Sequence, residues 1–152
     1  MKSLANASDC KELRHRLQYA RVDSSRRWGK MSAAQMICHL ADSFRAVMGE
    51  KPWQLDRPTF GWQVVKHLAL YAPVRWPRGV PTRPEVDQFL GGTPPLRFED
   101  DVHDLQQLLD RFARQPRDFQ LQPHPMFGLM SEREWLRWGY LHTDHHLRQF
   151  GL

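Results

Sequence analysis

The chain has 152 residues, of which 41% are hydrophobic and 26% charged, with a formal net charge of +5. That length suits one domain spanning residues 1–152 around one core, and that balance excludes a disordered chain. No run approaches the roughly 18 apolar residues of a membrane span, and the first ten residues lack the apolar centre of a secretory leader. A cytoplasmic protein that makes no contact with membrane is therefore expected. Cys10 and Cys38 are the two cysteines, too few for a disulfide framework and outside any CxxC pair. No run of five basic residues and no nucleic-acid-binding signature occurs, so nucleic acid is not an expected partner.

Taken in chain order, a first helix is predicted from about Asp9 to Ala20, with Leu13, Leu17 and Ala20 at helical spacing. A polar connection over residues 22–30 follows. The second helix opens on Ser32 and Gln35, a capping box in which hydroxyl and amide each satisfy a free backbone donor. Met36, Ile37, Leu40, Phe44 and Val47 form its broad apolar face, and Gly49 ends it. A third helix is predicted after Pro58 and Thr59, ending near Pro73 and carrying Phe60, Trp62, Val64, Val65, Leu68 and Leu70.

Residues 72–95 are rich in Pro and Gly and read as a long crossover, the kind of connection that is functional or wraps the body. Helical spacing resumes at Val102, Leu105, Leu108, Leu109 and Phe112, with Glu99, Asp100 and Asp101 placed to complement the helix dipole. A second capping box, Ser131 with Glu134, starts a last helix that runs to about Gln149. Strand signals are scarce. The sum is an all-α bundle of four or five helices with at least one long connection.

Chemistry concentrates in the histidines. His142 and His146 fall about 40° apart on the helix wheel, with Cβ atoms about 5–6 Å apart, so both imidazoles can reach one metal ion. Trp135, Trp138, Gly139 and Gln149 share that face. His39, beside the apolar stripe of the second helix, is the candidate third ligand, and His145 is an alternative to His146. Asp42 lies one turn beyond His39 and is the candidate general base. Gln35 and Gln149 are candidates to orient the ligands from behind. His124, just before the last helix, either contacts substrate or braces the turn, and Trp138 and Trp28 either wall the pocket or belong to the core. None of the three histidines has a Glu three residues before it, and HExxH is absent, so a mononuclear three-histidine site fits better than a dinuclear or protease-like one.

The stretches QMICHLADSF and HTDHHLRQF resemble the DinB superfamily, the DinB/YfiT-like metalloenzymes, whose pattern is a first His in helix two, then His-x-x-x-His with Gln three residues later. Here those positions are His39, His142, His146 and Gln149. The longer phrases RWGKMSAAQMICHL and HPMFGLMSEREW are similar to a branch of that superfamily whose function is unassigned. The resemblance implies a four-helix bundle with long crossovers, often a homodimer. It implies one divalent ion, nickel or zinc, on the three histidines, and thiol-dependent transfer with a low-molecular-weight thiol, or hydrolysis, as the reaction. Relatives often read His-Arg-Gly-Gln at the last ligand, whereas this chain reads His146-Leu147-Arg148-Gln149, so the Arg is displaced by one position. Two other readings stand beside the enzyme: a bundle whose metal is structural or sensory, and an interaction module using the apolar third helix.

Overall fold

The computed structural model describes residues 1–56 and 60–152. Five α-helices occur among them: α1 (Ala7–Leu17), α2 (Ala33–Val47), α3 (Phe60–Tyr71), α4 (Phe98–Ala113) and α5 (Glu132–Gln149). One turn of 3-10 helix, Pro84–Val86, interrupts the connection between α3 and α4. No strand occurs among the described residues, only an isolated bridge between His124 and Gly128. The architecture is all-helical, as the periodicity predicts. No helix among the described residues is long and apolar enough to cross a membrane.

Both capping boxes form. Ser32 accepts from Gln35 N while Gln35 accepts from Ser32 N, and Ser131 and Glu134 do the same at the start of α5. These reciprocal bonds satisfy donors that a helix start otherwise leaves free. The first helix begins two residues earlier than its hydrophobic spacing suggests and ends at Leu17. Arg21 then bonds the carbonyls of Gln18 and Ala20, holding the chain in a turn where continued helix was expected. The predicted start of α3 after Pro58 and Thr59 falls on residues 57–59, outside the described residues.

α2 is the central helix. Only Ala34, Gln35 and Arg45 of its fifteen residues are not buried. A helix apolar nearly all round must be covered on every side; α4 and α5 pack on it, and α1 closes the core against α4 and α5. Phe44 is fully buried with its ring 5.0 Å from Phe112 and 6.0 Å from Trp138. Gly139 permits this close approach on α5, since a Cβ there would meet Leu4, Phe112 and Phe44.

The remaining side of α2 is covered by the crossover. Asp42 is completely buried, and its carboxylate accepts from Thr93 N at 2.7 Å, Thr93 Oγ1 at 2.7 Å and Gln88 Nε2 at 3.3 Å. Lys51 Nζ lies 3.5 Å away. A carboxylate taken out of water is tolerable only with such donors, so the crossover is pinned to α2 by a charge that cannot be left alone. Replacing Asp42 with Ala should therefore loosen this segment selectively. Trypsin is expected to cut after Arg78 and Arg97 faster than in wild type while far-ultraviolet circular dichroism keeps its helical signal; equal cleavage rates would contradict the pin.

Candidate metal centre

α2 and α5 cross so that the middle of one faces the last turns of the other. This juxtaposition brings together the three histidines singled out from spacing: one ring nitrogen from each of His39, His142 and His146 lies within 4.8 Å of the others. Their ligating atoms are buried. His39 is 4% and His146 9% exposed, whereas His142 keeps part of its residue surface in solvent. No ion is present in the structure.

Which nitrogen faces inward is decided from behind. His39 Nδ1 donates to the Val86 carbonyl at 2.8 Å, which leaves Nε2 as a lone pair directed at the cluster. Gln149 Nε2 donates to the Trp28 carbonyl at 2.9 Å, so its oxygen faces His146 and accepts from Nδ1 at 2.9 Å. His146 is thereby left with its lone pair on Nε2 as well. Gly29 makes the Gln149 contact possible: its φ is +80°, and a Cβ there would stand 2.4 Å from Gln149 Nε2. His142 Nε2 lies 3.3 Å from His39 Nε2, while its Nδ1 is enclosed and has no hydrogen-bond partner.

Burial keeps these rings neutral. His39 is held below the usual imidazole value of 6.5 mainly by burial, against the opposing pull of the Val86 bond. His142 and His146 are pushed well below it, by burial first, then by the neighbouring histidines. Neutral imidazole is the form that binds metal, so no proton has to be expelled near neutral pH.

Aromatic rings close the cluster. Trp138 is 4.6 Å from His142, and Trp76, from the crossover, lies 6.2 Å from both His142 and His145. Trp138 is only 5% exposed, packed against Phe44 and Trp135. It forms a floor under His142. His145 falls outside the three-nitrogen group and packs between Trp28 at 5.8 Å and Trp76.

Two expectations change, and one open choice is resolved. Asp42 is not placed to act as general base: both its oxygens are occupied by crossover donors, and no solvent reaches it. Gln35 does not back a ligand, because its amide oxygen is spent on the Ser32 backbone at 2.9 Å. His124 braces a turn rather than lining an opening. Its Nδ1 accepts from Met126 N and Phe127 N, each at 3.2 Å, its ring stacks on Phe127 at 4.3 Å, and burial, with Arg83 adding to it, lowers its pKa to about 3. Gln149, by contrast, does contact His146. Cys38 is an inert thiol, pushed up to about 12 chiefly by burial.

The residues that sequence reasoning missed are the crossover's Val86 and Trp76. Val86 acts through a backbone carbonyl, which no side-chain pattern reveals. Trp76 sits in a Pro-rich stretch without periodicity. The glycine of RWGK was a visible signal for the Gln149 contact, but its partner lies 120 residues away.

The stability of the metal-free protein should fall with acid. His39, His124, His142 and His146 all have folded pKa values below 6.5, so below that pH the unfolded chain binds protons that the folded one refuses. Stability present above about pH 6.5 is then lost by about 1.4 kcal/mol per pH unit for each such histidine, until its own folded pKa is reached. For His124 that window extends to about pH 3. Denaturant midpoints measured between pH 8 and pH 5 test this; a midpoint that stays level down to about pH 5 would contradict the buried neutral state.

The chain belongs to the family described as Protein of unknown function (DUF1569), which it matches over residues 3–151. No curated protein and no solved structure matches it.

Proposed function

We propose that this member of the family is a metal-dependent enzyme of the DinB-like type: a four-helix bundle with long crossovers, acting on a small molecule through one divalent ion held by His39, His142 and His146. The observation that carries the reading is the pair of facing Nε2 atoms 3.3 Å apart, one of them on a ring whose Nδ1 proton is already committed to Val86. Ligand nitrogens about 2.0–2.1 Å from a tetrahedral ion stand about 3.3–3.4 Å from one another, so the His39–His142 pair already has the spacing such an ion needs, with the His146 nitrogen within 4.8 Å of both. Imidazole-only ligation suits zinc or nickel. A divalent ion there would supply a Lewis acid that lowers the proton affinity of a water or thiol reaching it.

The chain's own residues do the rest. Val86 and Gln149 hold two of the rings by their outer nitrogens, the arrangement that orients histidine ligands in metal sites. Trp76 and Trp138 flank His142 and restrict water. No carboxylate belongs to the three-nitrogen group among the described residues, so the ligands leave the ion's charge undiminished. That favours thiol-dependent transfer, with a low-molecular-weight thiol arriving as an anion, or hydrolysis. The reading places the protein in the cytoplasm, where such thiols are kept reduced.

Elemental analysis of purified protein supplemented with zinc or nickel tests the centre. Wild type is expected to carry close to one equivalent of ion, and His142→Ala to lose it while keeping its helical spectrum. Wild type that retains no ion after supplementation would end the three-histidine reading.

We also propose that two copies pair through α3. Val64 and Leu68 are each 54% exposed and Val65 41%, on a helix that packs mainly against α5. Such a stripe is ordinarily covered. Light scattering should give twice the monomer mass, falling to the monomer in Val64→Glu/Leu68→Glu; a monomeric wild type would refute the pairing.

A further inference from the structure

The rim of the histidine cluster is built from three separate parts of the chain. Trp28 comes from the connection before α2, Trp76 and Arg78 from the crossover, and His145 from α5. Their side chains form a continuous path. The Arg78 guanidinium lies 4.3 Å over the Trp28 ring, Trp28 meets His145 edge to face at 5.8 Å, and His145 stands 5.3 Å from His146. Trp76 closes the other side, 6.2 Å from both His142 and His145.

The orientation of each group matters. A guanidinium laid on an indole face uses its π surface for the stack and keeps its N–H edge free. Arg78 is exposed and has no carboxylate within ion-pair distance among the described residues, unlike Arg16, Arg83, Arg111 and Arg148. The nearby acid on α5, Asp144, is already bound by both Arg16 and Arg148 at 2.8 Å. The Trp76 indole N–H is likewise occupied, donating to the Ala69 carbonyl at 2.7 Å, so the ring presents only its apolar surface. Among the described residues, the rim thus offers a planar cation with no carboxylate partner beside an apolar wall, and Asp144 next to His145 is already paired.

We propose that this rim is a substrate-recognition site for small molecules carrying a carboxylate: Arg78 takes the carboxylate through its free edge, and Trp76 and Trp28 hold the carbon skeleton beside the three histidines. The proposal rests on the metal-centre reading for what happens to the other end of the molecule, but not for the binding itself. An Arg–carboxylate pair can form two parallel hydrogen bonds, which explains the choice of a stacked arginine over a flexible lysine.

The test is calorimetric titration of the full chain, without added ion and again loaded with zinc, using 3-phenylpropionate and its neutral amide. The carboxylate is expected to bind about tenfold tighter than the amide or better, in both states. Arg78→Ala should erase that preference without changing the melting temperature, since the residue is exposed, and Arg78→Lys should restore only part of it. Equal binding of acid and amide by the ion-free chain, no saturable binding at millimolar concentration, or an undiminished preference in Arg78→Ala would each overturn the proposal. A carboxylate that binds only the zinc-loaded protein, with Arg78→Ala unaffected, is held by the ion and also overturns it. Loss of the metal reading appears separately, as absent ion in elemental analysis, and leaves the comparison in the ion-free chain intact.

Discussion

A buried carboxylate must find donors, and Asp42 finds them in a segment more than forty residues away. Thr93 and Gln88 bond it, and the same segment sends the Val86 carbonyl to His39, one helical turn before Asp42. The two attachments act on adjacent turns of α2. The first compensates a charge that water cannot reach; the second sets the tautomer of an imidazole. The donors drawn to the carboxylate help hold the segment from which Val86 orients His39. The geometry of the cluster thus depends on a side chain that does not touch it.

The same logic runs through the other helix. Gln149 is held by the Trp28 carbonyl and passes its orientation to His146, and Gly29 supplies the room. Each of two histidines is therefore aligned by a loop folded back over its helix. A helix alone sets the position of an imidazole along its axis. It does not choose which nitrogen carries the proton, and that choice needs a partner outside the helix.

These loops also make the surroundings of the site. Trp28 stands beside the cluster because Gln149 bonds its carbonyl, and Trp76 because its indole N–H donates to the Ala69 carbonyl of α3. The helical core, from Phe44 through Phe112 to Trp138, fills space and stays apart from solvent. Chemistry is left to the seam between that core and the crossover, where polar groups meet donors and rings at once.

Local patterns were enough to read the helices. Apolar spacing and two capping boxes depend on residues three or four apart, and the physics that forms them is equally local. The three histidines were legible for a related reason: a four-residue interval on one helix and a lone histidine on a buried face leave few ways to arrange them. The role of Asp42 was misjudged because its position on the helix wheel says where it lies but not what arrives opposite. Gln35 failed likewise, its amide oxygen claimed by a local backbone donor that competed with the distant role, whereas His124 took the bracing one of its two candidate roles. Val86, Trp76 and the stacked Arg78 belong to an aperiodic crossover whose path is set by hydrogen bonds to remote residues. Sequence determined the helices and the identity of the nitrogen donors, whose geometry repeats along the chain. Only tertiary structure decided how those donors are turned and what surrounds them, because backbone carbonyls and loop contacts carry no signature in residue spacing.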